Sequence, residues 1–352
     1  MKINNGIISE KKLVIPLLGV PGVRLSKTSL KQNLTHSETQ YKTLSMLIDK
    51  FEPDGIFPIM DLTVEVEALG LRIDFPENNH PSVINHPIKT KIDLDALKGN
   101  WNGITGRMRI FSEIIEKIAK KYSILTGGYV IGPFSMAGEL MGAHNTALNI
   151  ILNPELVLGC IEFSLQVITE YARTLFSAGA DTIAVLEPLA VILSPEQYKE
   201  FSLKPFQKLV SNLDNRPLIL HICGNTNHII KLMCDSGAIG FSLDSDVNFK
   251  ELKKSVPKEI ALIGNLAPVD VFLRSTPEGV AKATKNLMED MKDSENFILS
   301  SGCDIPMDTP LENIEAFMKA ARERNRTVTF RSIIINGKQI AKNNFLARKK
   351  ND

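Results

Sequence analysis

The sequence predicts a single (β/α)₈ barrel carrying a short C-terminal extension, and three observations predict it. Eight short β-rich apolar runs recur along the chain, continuous rather than alternating, as strands covered on both faces read. Helix-like stretches lie between them. No G-x-G-x-x-G follows an early strand, as an open dinucleotide-binding sheet would lead one to expect, and eight units suit closure. A chain of 352 residues could hold two domains of about 150, but single α/β barrels also reach this size.

The runs are justified in order. Leu13–Leu18 stops at Gly19, Gly55–Met60 at Asp61, and Gly128–Gly132 at Pro133. Asp181–Leu186 precedes Glu187-Pro188, and Pro217–Ile222 precedes Cys223-Gly224. Ala238–Leu243 ends at Asp244, Ile260–Ile263 leads into Gly264-Asn265, and Phe297–Ser300 into Ser301-Gly302-Cys303. Between runs, 195–212 opens with Ser194 as N-cap and Pro195 at the first helical position. Thr309-Pro310-Leu311-Glu312 repeats that signal ahead of a helix over 313–324. The barrel is expected over 1–326. Residues 327–352 form a basic extension in which Asn336-Gly337 between apolar residues signals a hairpin. It is read as folding back onto the barrel rather than docking an acidic partner.

Composition excludes several classes. Forty-one Lys plus Arg against 40 Asp plus Glu argues against a wholly basic nucleic-acid binder and against an acidic disordered chain. No apolar run reaches about 18 residues, and the start, MKINNGIISEKK, has no apolar signal core, so a cytoplasmic protein is expected. Four cysteines are too few for a disulfide framework.

In a barrel, functional groups lie just past strand C-termini. His221 and Cys223 are two apart at one such end, so their side chains share a face. Cys303 follows the last strand, and the two strand ends open on one mouth. Imidazole and thiolates are preferred zinc ligands, and three protein donors leave a position for substrate. Asp244 is a candidate fourth ligand, with Asp246 close by. Cys160 and Cys234 fall in helical patterns and read as packing residues; a Cys223–Cys303 disulfide is disfavoured in a reducing cytosol. Asp61, Glu187, Asn225 and Asn265 are candidates for the substrate pocket. A strand-end carboxylate such as Asp61 or Glu187 otherwise caps a helix or pairs with a nearby Lys or Arg. His36, His80, His86, His144 and His228 show no comparable context.

These residues carry a resemblance. His221-x-Cys223-Gly-Asn followed by Ser301-Gly-Cys303-Asp-Ile-Pro resembles the uroporphyrinogen decarboxylase superfamily, and within it the zinc-dependent corrinoid methyltransferases such as methylcobamide:coenzyme M methyltransferase. Met60-Asp61-Leu-Thr-Val-Glu-Val-Glu67-Ala-Leu-Gly70, Gly132-Pro133-Phe134-Ser-Met-Ala-Gly138, Leu193-Ser-Pro195-Glu-Gln-Tyr and Gly264-Asn265-Leu-Ala-Pro268 match as well, so that roughly 10–325 is covered. The resemblance implies zinc on His221, Cys223 and Cys303, and methyl transfer between a corrinoid and a small thiol such as coenzyme M. No Asp-x-His-x-x-Gly signature occurs, so the corrinoid (methylcobalamin) is expected on a separate corrinoid-binding protein, with Phe75–Lys89 and Gly132–Asn145 as its docking rim. Arg72 and Lys89 are the candidates for holding a sulfonate. Related enzymes run the other way, taking methyl from a methoxylated or methylated small molecule to load the corrinoid. The true decarboxylases carry an Arg-rich clamp after the first strand and no metal; here Arg24 stands alone in that stretch. A non-catalytic barrel with a closed zinc site is the remaining alternative.

Overall fold

The computed structural model describes residues 12–323; the extension at 327–352, with its Asn336-Gly337 turn, lies outside the described residues. Eight parallel strands form one sheet: β1 (Leu13–Val14), β2 (Gly55–Ile56), β3 (Leu125–Ile131), β4 (Thr182–Leu186), β5 (Leu218–Ile222), β6 (Gly240–Leu243), β7 (Ala261–Leu266) and β8 (Phe297–Ser301). Their order is β1-β8-β7-β6-β5-β4-β3-β2, the circuit of the expected (β/α)₈ barrel. A two-stranded ribbon, Ile73–Asp74 against Ser82–Val83, is inserted after β2.

Two strands are shorter than their apolar runs. Pro16 and Pro58 interrupt those runs, and a residue without an N–H cannot continue a ladder. Closure between β1 and β2 is instead made by Asp54. Its N–H donates to the Val14 carbonyl at 3.0 Å, and its Oδ2 accepts from the Val14 N–H at 2.9 Å. Past Pro16 the chain stays against β8 through the Leu17 N–H, which donates to Ser301 Oγ.

The core has two layers. Leu13, Ile15, Phe57, Leu125, Tyr129, Ala184, Leu186, Ile219, Ile263 and Ile298 fill the barrel interior. Residues of opposite parity, such as Val130, Val185, Leu220 and Leu299, face the helices. Ser194 caps its helix as expected, in a capping box with Gln197. That helix is not continuous: Pro195–Tyr198 passes through a π turn, Lys199–Leu203, into Lys204–Asn212. Pro205 offers no N–H to the preceding turn, which accounts for the widening. Thr309 does not cap: its buried hydroxyl has no partner, and the last helix begins at Leu311. Among the described residues no helix is long and apolar enough to cross a membrane.

Asp54→Ala removes the side-chain half of the β1–β2 closure. We expect a loss of about 1–3 kcal/mol in urea-induced unfolding, with metal content unchanged.

Candidate metal centre

β5 delivers the first two donors. Ile219 lines the barrel interior, so His221, two residues on, points inward as well, and it is 2% exposed. The ladder sets His221 opposite Ser242 of β6, and Nδ1 lies 2.9 Å from Ser242 Oγ. That contact orients the ring so that Nε2 faces Cys223 Sγ at 3.2 Å. The chain turns after Cys223 through Gly224, whose φ of +79° favours glycine. The Gly224 N–H donates to Asp244 Oδ2 at 3.0 Å, which fixes the turn.

β8 delivers the third donor. Gly302 lies so close to the β6 loop that a Cβ would stand 2.7 Å from Ser245 N. Its N–H donates to the Leu266 carbonyl. Cys303, next along, sets its Sγ 3.4 Å from Cys223 Sγ and 3.7 Å from His221 Nε2. Edges of about 3.5–3.8 Å are what a tetrahedral zinc with ordinary Zn–S and Zn–N bonds requires, so the trio fits such an ion. Among the described residues, this is the group of His, Cys, Asp and Glu atoms spaced to hold a metal. Between protein atoms alone, the Cys223 sulfur and burial push the Cys303 thiol up. Burial disfavours the His221 imidazolium, but Cys303, Asp304 and Asp244 outweigh it and raise its pKa. One imidazole and two sulfurs this close together make a donor set that suits a divalent cation once the thiols lose their protons. All four cysteines are free thiols. Cys160 is buried in the helix Pro154–Ser177, and Cys234 Sγ bonds the Ile230 carbonyl.

The other expected site residues lie nearby but are engaged. Asp244 is outside the donor trio; its oxygens accept from Gly224 N–H and Ser245 Oγ. Asp246 is exposed. Asn265 Nδ2 donates to the carbonyls of Asp244 and Val247, holding that loop. Asn225 is exposed and accepts from the Asn227 N–H. Asp61 is bound on both oxygens, by Thr63 and by an ion pair with buried Arg107. Glu187 follows inward-facing Leu186, so it points out of the barrel and caps the helix Pro133–Met141 through the Ser135 N–H at 2.8 Å. Of the other histidines, His86 contacts the Glu139 carbonyl and His228 that of Leu193, and among the described residues none joins the trio. Arg72 and Lys89 are exposed. Sequence reasoning missed Ser242. Its parity with Asp244 was visible, but its register against His221 was not.

Fold and donor set together define a (β/α)₈ barrel with a candidate three-donor metal centre at its C-terminal mouth. Residues 22–324 match the uroporphyrinogen decarboxylase (URO-D) family, and the chain belongs to it. It is 33% identical over 269 residues to a methylcobamide:CoM methyltransferase of Methanosarcina acetivorans, covering 74% of this chain and 77% of that one. A methylated-thiol–coenzyme M methyltransferase of Methanosarcina mazei is 26% identical over 273 residues, with 76% and 71% covered. Among solved structures, a methyltransferase from Methanosarcina mazei superposes with a TM-score of 0.80 at 26% identity, covering 89% of this chain and 94% of that one.

Two outcomes are expected. Ser242→Ala frees the His221 ring and should weaken zinc binding about 10–100-fold in competition with a chromophoric chelator. Burial raises both Glu65 and Glu187 from 4.5 to about 8. The folded state therefore holds these protons more tightly than the unfolded one. The stabilisation is complete below the ordinary carboxyl range and is lost as pH rises towards about 8. Glu187→Gln should flatten the fall between pH 5 and 8 by up to about 1.4 kcal/mol per unit, measured by denaturant titration.

Proposed function

We propose that this chain is a zinc-dependent methyltransferase that moves a methyl group between a corrinoid carried on a partner protein and a small thiol, the class to which coenzyme M belongs. The observation that carries this reading is the meeting of His221, Cys223 and Cys303 at the barrel mouth, in a chain one third identical to a methylcobamide:CoM methyltransferase. A free thiol has a pKa near 8.5 and is mostly protonated at neutral pH. Zinc on these three residues would hold the substrate sulfur as thiolate, with its proton released to solvent.

The protein's own groups supply orientation. Ser242 fixes the imidazole, the Asp244 carboxylate fixes the Cys223 turn, and Asn265 fixes the Asp244 loop. With zinc bound, the Cys223 and Cys303 thiolates would lend the ion electron density, which would leave a substrate thiolate nucleophilic. A corrinoid on the partner protein would supply the methyl group, and it would keep the bonding pair when the methyl carbon passes to the thiolate sulfur. The corrinoid protein would approach over the mouth, and the segments that follow β2 and β3 in the chain, the ribbon and the helices Pro133–Met141 and Ala143–Leu152, are the ones it would meet. A tetrapyrrole clamp is disfavoured: Arg24 spends Nη1 on the carbonyls of Asp308 and Thr309.

The test is metal content and turnover on the same preparations. Wild type should carry about one zinc per chain and transfer methyl from methylcobalamin to a thiol, followed by the corrinoid absorbance. Cys303→Ala should lose the zinc and at least about 100-fold of the rate. Full zinc and full rate in that variant would refute the assignment. Substrate-independent zinc with a closed four-ligand shell would instead favour a non-catalytic barrel.

A further inference from the structure

The end of the barrel opposite the metal centre carries an open groove of about 1130 Å³. Its walls are the segments that lead into β1, β2, β3 and β4, with the last turns of the helices Ser37–Phe51 and Arg107–Lys121. Four acids line it, Asp49, Glu52, Asp54 and Asp181, and no Lys or Arg does. Asp49, Glu52 and Asp181 are exposed. Asp49 Oδ1 accepts from the Tyr122 hydroxyl at 3.1 Å, and Asp181 Oδ2 from the Thr126 N–H at 3.0 Å; neither bond brings a cation. Glu52 pairs with Arg322 at 3.3 Å, and Lys121 stands at the rim, 4.8 Å from the Tyr122 ring centre. Among the acids stand the half-buried side chains of Ala119, Tyr122 and Ile124.

The chain itself leads an occupant to this groove. The last described helix, Leu311–Glu323, ends on its rim, where Arg322 Nη2 donates to the carbonyls of Phe51 and Glu52. Residues 324–352 follow, and they carry eight Lys and Arg against one Asp. An extended chain covers about 3.3 Å per residue, so fewer than ten of them span about 25 Å and length sets no limit. Tethering places such a segment at an effective concentration of about 1 mM, so a contact weak between separate molecules is largely made within one chain. Single surface ion pairs contribute little, but several act together here. Phe330 and Ile333 to Ile335 offer apolar surface to match Ala119, Tyr122 and Ile124. Residues 1–11 precede Leu13 at the same pole, but with two Lys against one Glu they match the acids less well.

We propose that residues 324–352 lie across the N-terminal pole of the barrel and occupy this groove, with their Lys and Arg against Asp49 and Asp181 and their apolar residues over Ala119, Tyr122 and Ile124. The contact is partly electrostatic between exposed groups, so salt weakens it. It lies at the end of the barrel away from His221, Cys223 and Cys303, and so stands independently of the reaction assigned to them.

Two measurements on the full chain test this, and the proposal needs both. In the first, equal amounts of unlabelled and nitrogen-15-labelled protein are mixed and treated with a carbodiimide, which joins an amine to a carboxylate in direct contact. Peptide mass spectrometry should find Lys338, Lys342, Lys349 or Lys350 joined to Asp49, Glu52 or Asp181, within chains of one label. In the second, the rate of trypsin cleavage after Lys338 and Lys342 is followed in wild type and in the double variant Asp49→Asn with Asp181→Asn. An amide oxygen can still accept from the Tyr122 hydroxyl and the Thr126 N–H, so the double variant removes charge while keeping these bonds. Cleavage should speed up at least about threefold in the variant, and likewise in wild type at about 0.5 M salt, after correction with a free peptide substrate. Unchanged circular dichroism and metal content show that the variant is folded. Links from Lys2 or Lys11 in place of the C-terminal lysines, links between unlike labels, links elsewhere on the barrel, or cleavage indifferent to charge and salt each overturn the proposal.

Discussion

The turn after β6 is the constraint on which the mouth of this barrel depends. Cys223 and Cys303 are 80 residues apart and stand on strands separated by β6 and β7. Barrel curvature brings those strand ends to one opening, but only to within a few ångströms. The Asp244 segment sets the rest. Its carboxylate takes the Gly224 N–H on one side, and its backbone lies against Gly302 on the other. Asn265 holds the segment from below through two carbonyls. Both ligand loops are thus braced against one short stretch of chain, which is how donors from β5 and β8 come to lie within 3.7 Å of one another.

This arrangement gives Asp244 a different standing from that of a fourth ligand. A carboxylate that already accepts a backbone N–H and the Ser245 hydroxyl would have to give up one or both to reach a metal. Releasing the Gly224 N–H would loosen the turn that positions Cys223. In this structure the side chain acts as a brace, and a metal held by the trio would take Asp244 as a ligand only at the expense of that turn.

What was legible in the sequence follows from short-range rules. The continuous apolar runs located all eight strands, because burial on both faces leaves no polar alternation. The two-residue spacing placed His221 and Cys223 on one face, and Cys303 after the last run placed it at the same mouth. What was not legible depends on pairings that spacing does not encode. Prolines at 16 and 58 cut two runs short, and Asp54 supplied a closure that no apolar pattern announces. The partner of Asp61 is Arg107, 46 residues away, and the helix that Glu187 caps precedes it in the chain. Ser242 could be given a face but not a neighbour until the register was known.

The same distinction separates used polar groups from available ones. Asp61 is neutralised by an ion pair, and burial favours the neutral acid at Glu65 and Glu187. Glu187 does keep one oxygen without a partner, but that oxygen is wedged against Gly132, where a Cβ would stand 1.4 Å away, outside the barrel interior. At this mouth the charged side chains are thus spent on holding loops and helices, and among the described residues the His221, Cys223 and Cys303 donors are the group left to take a cation.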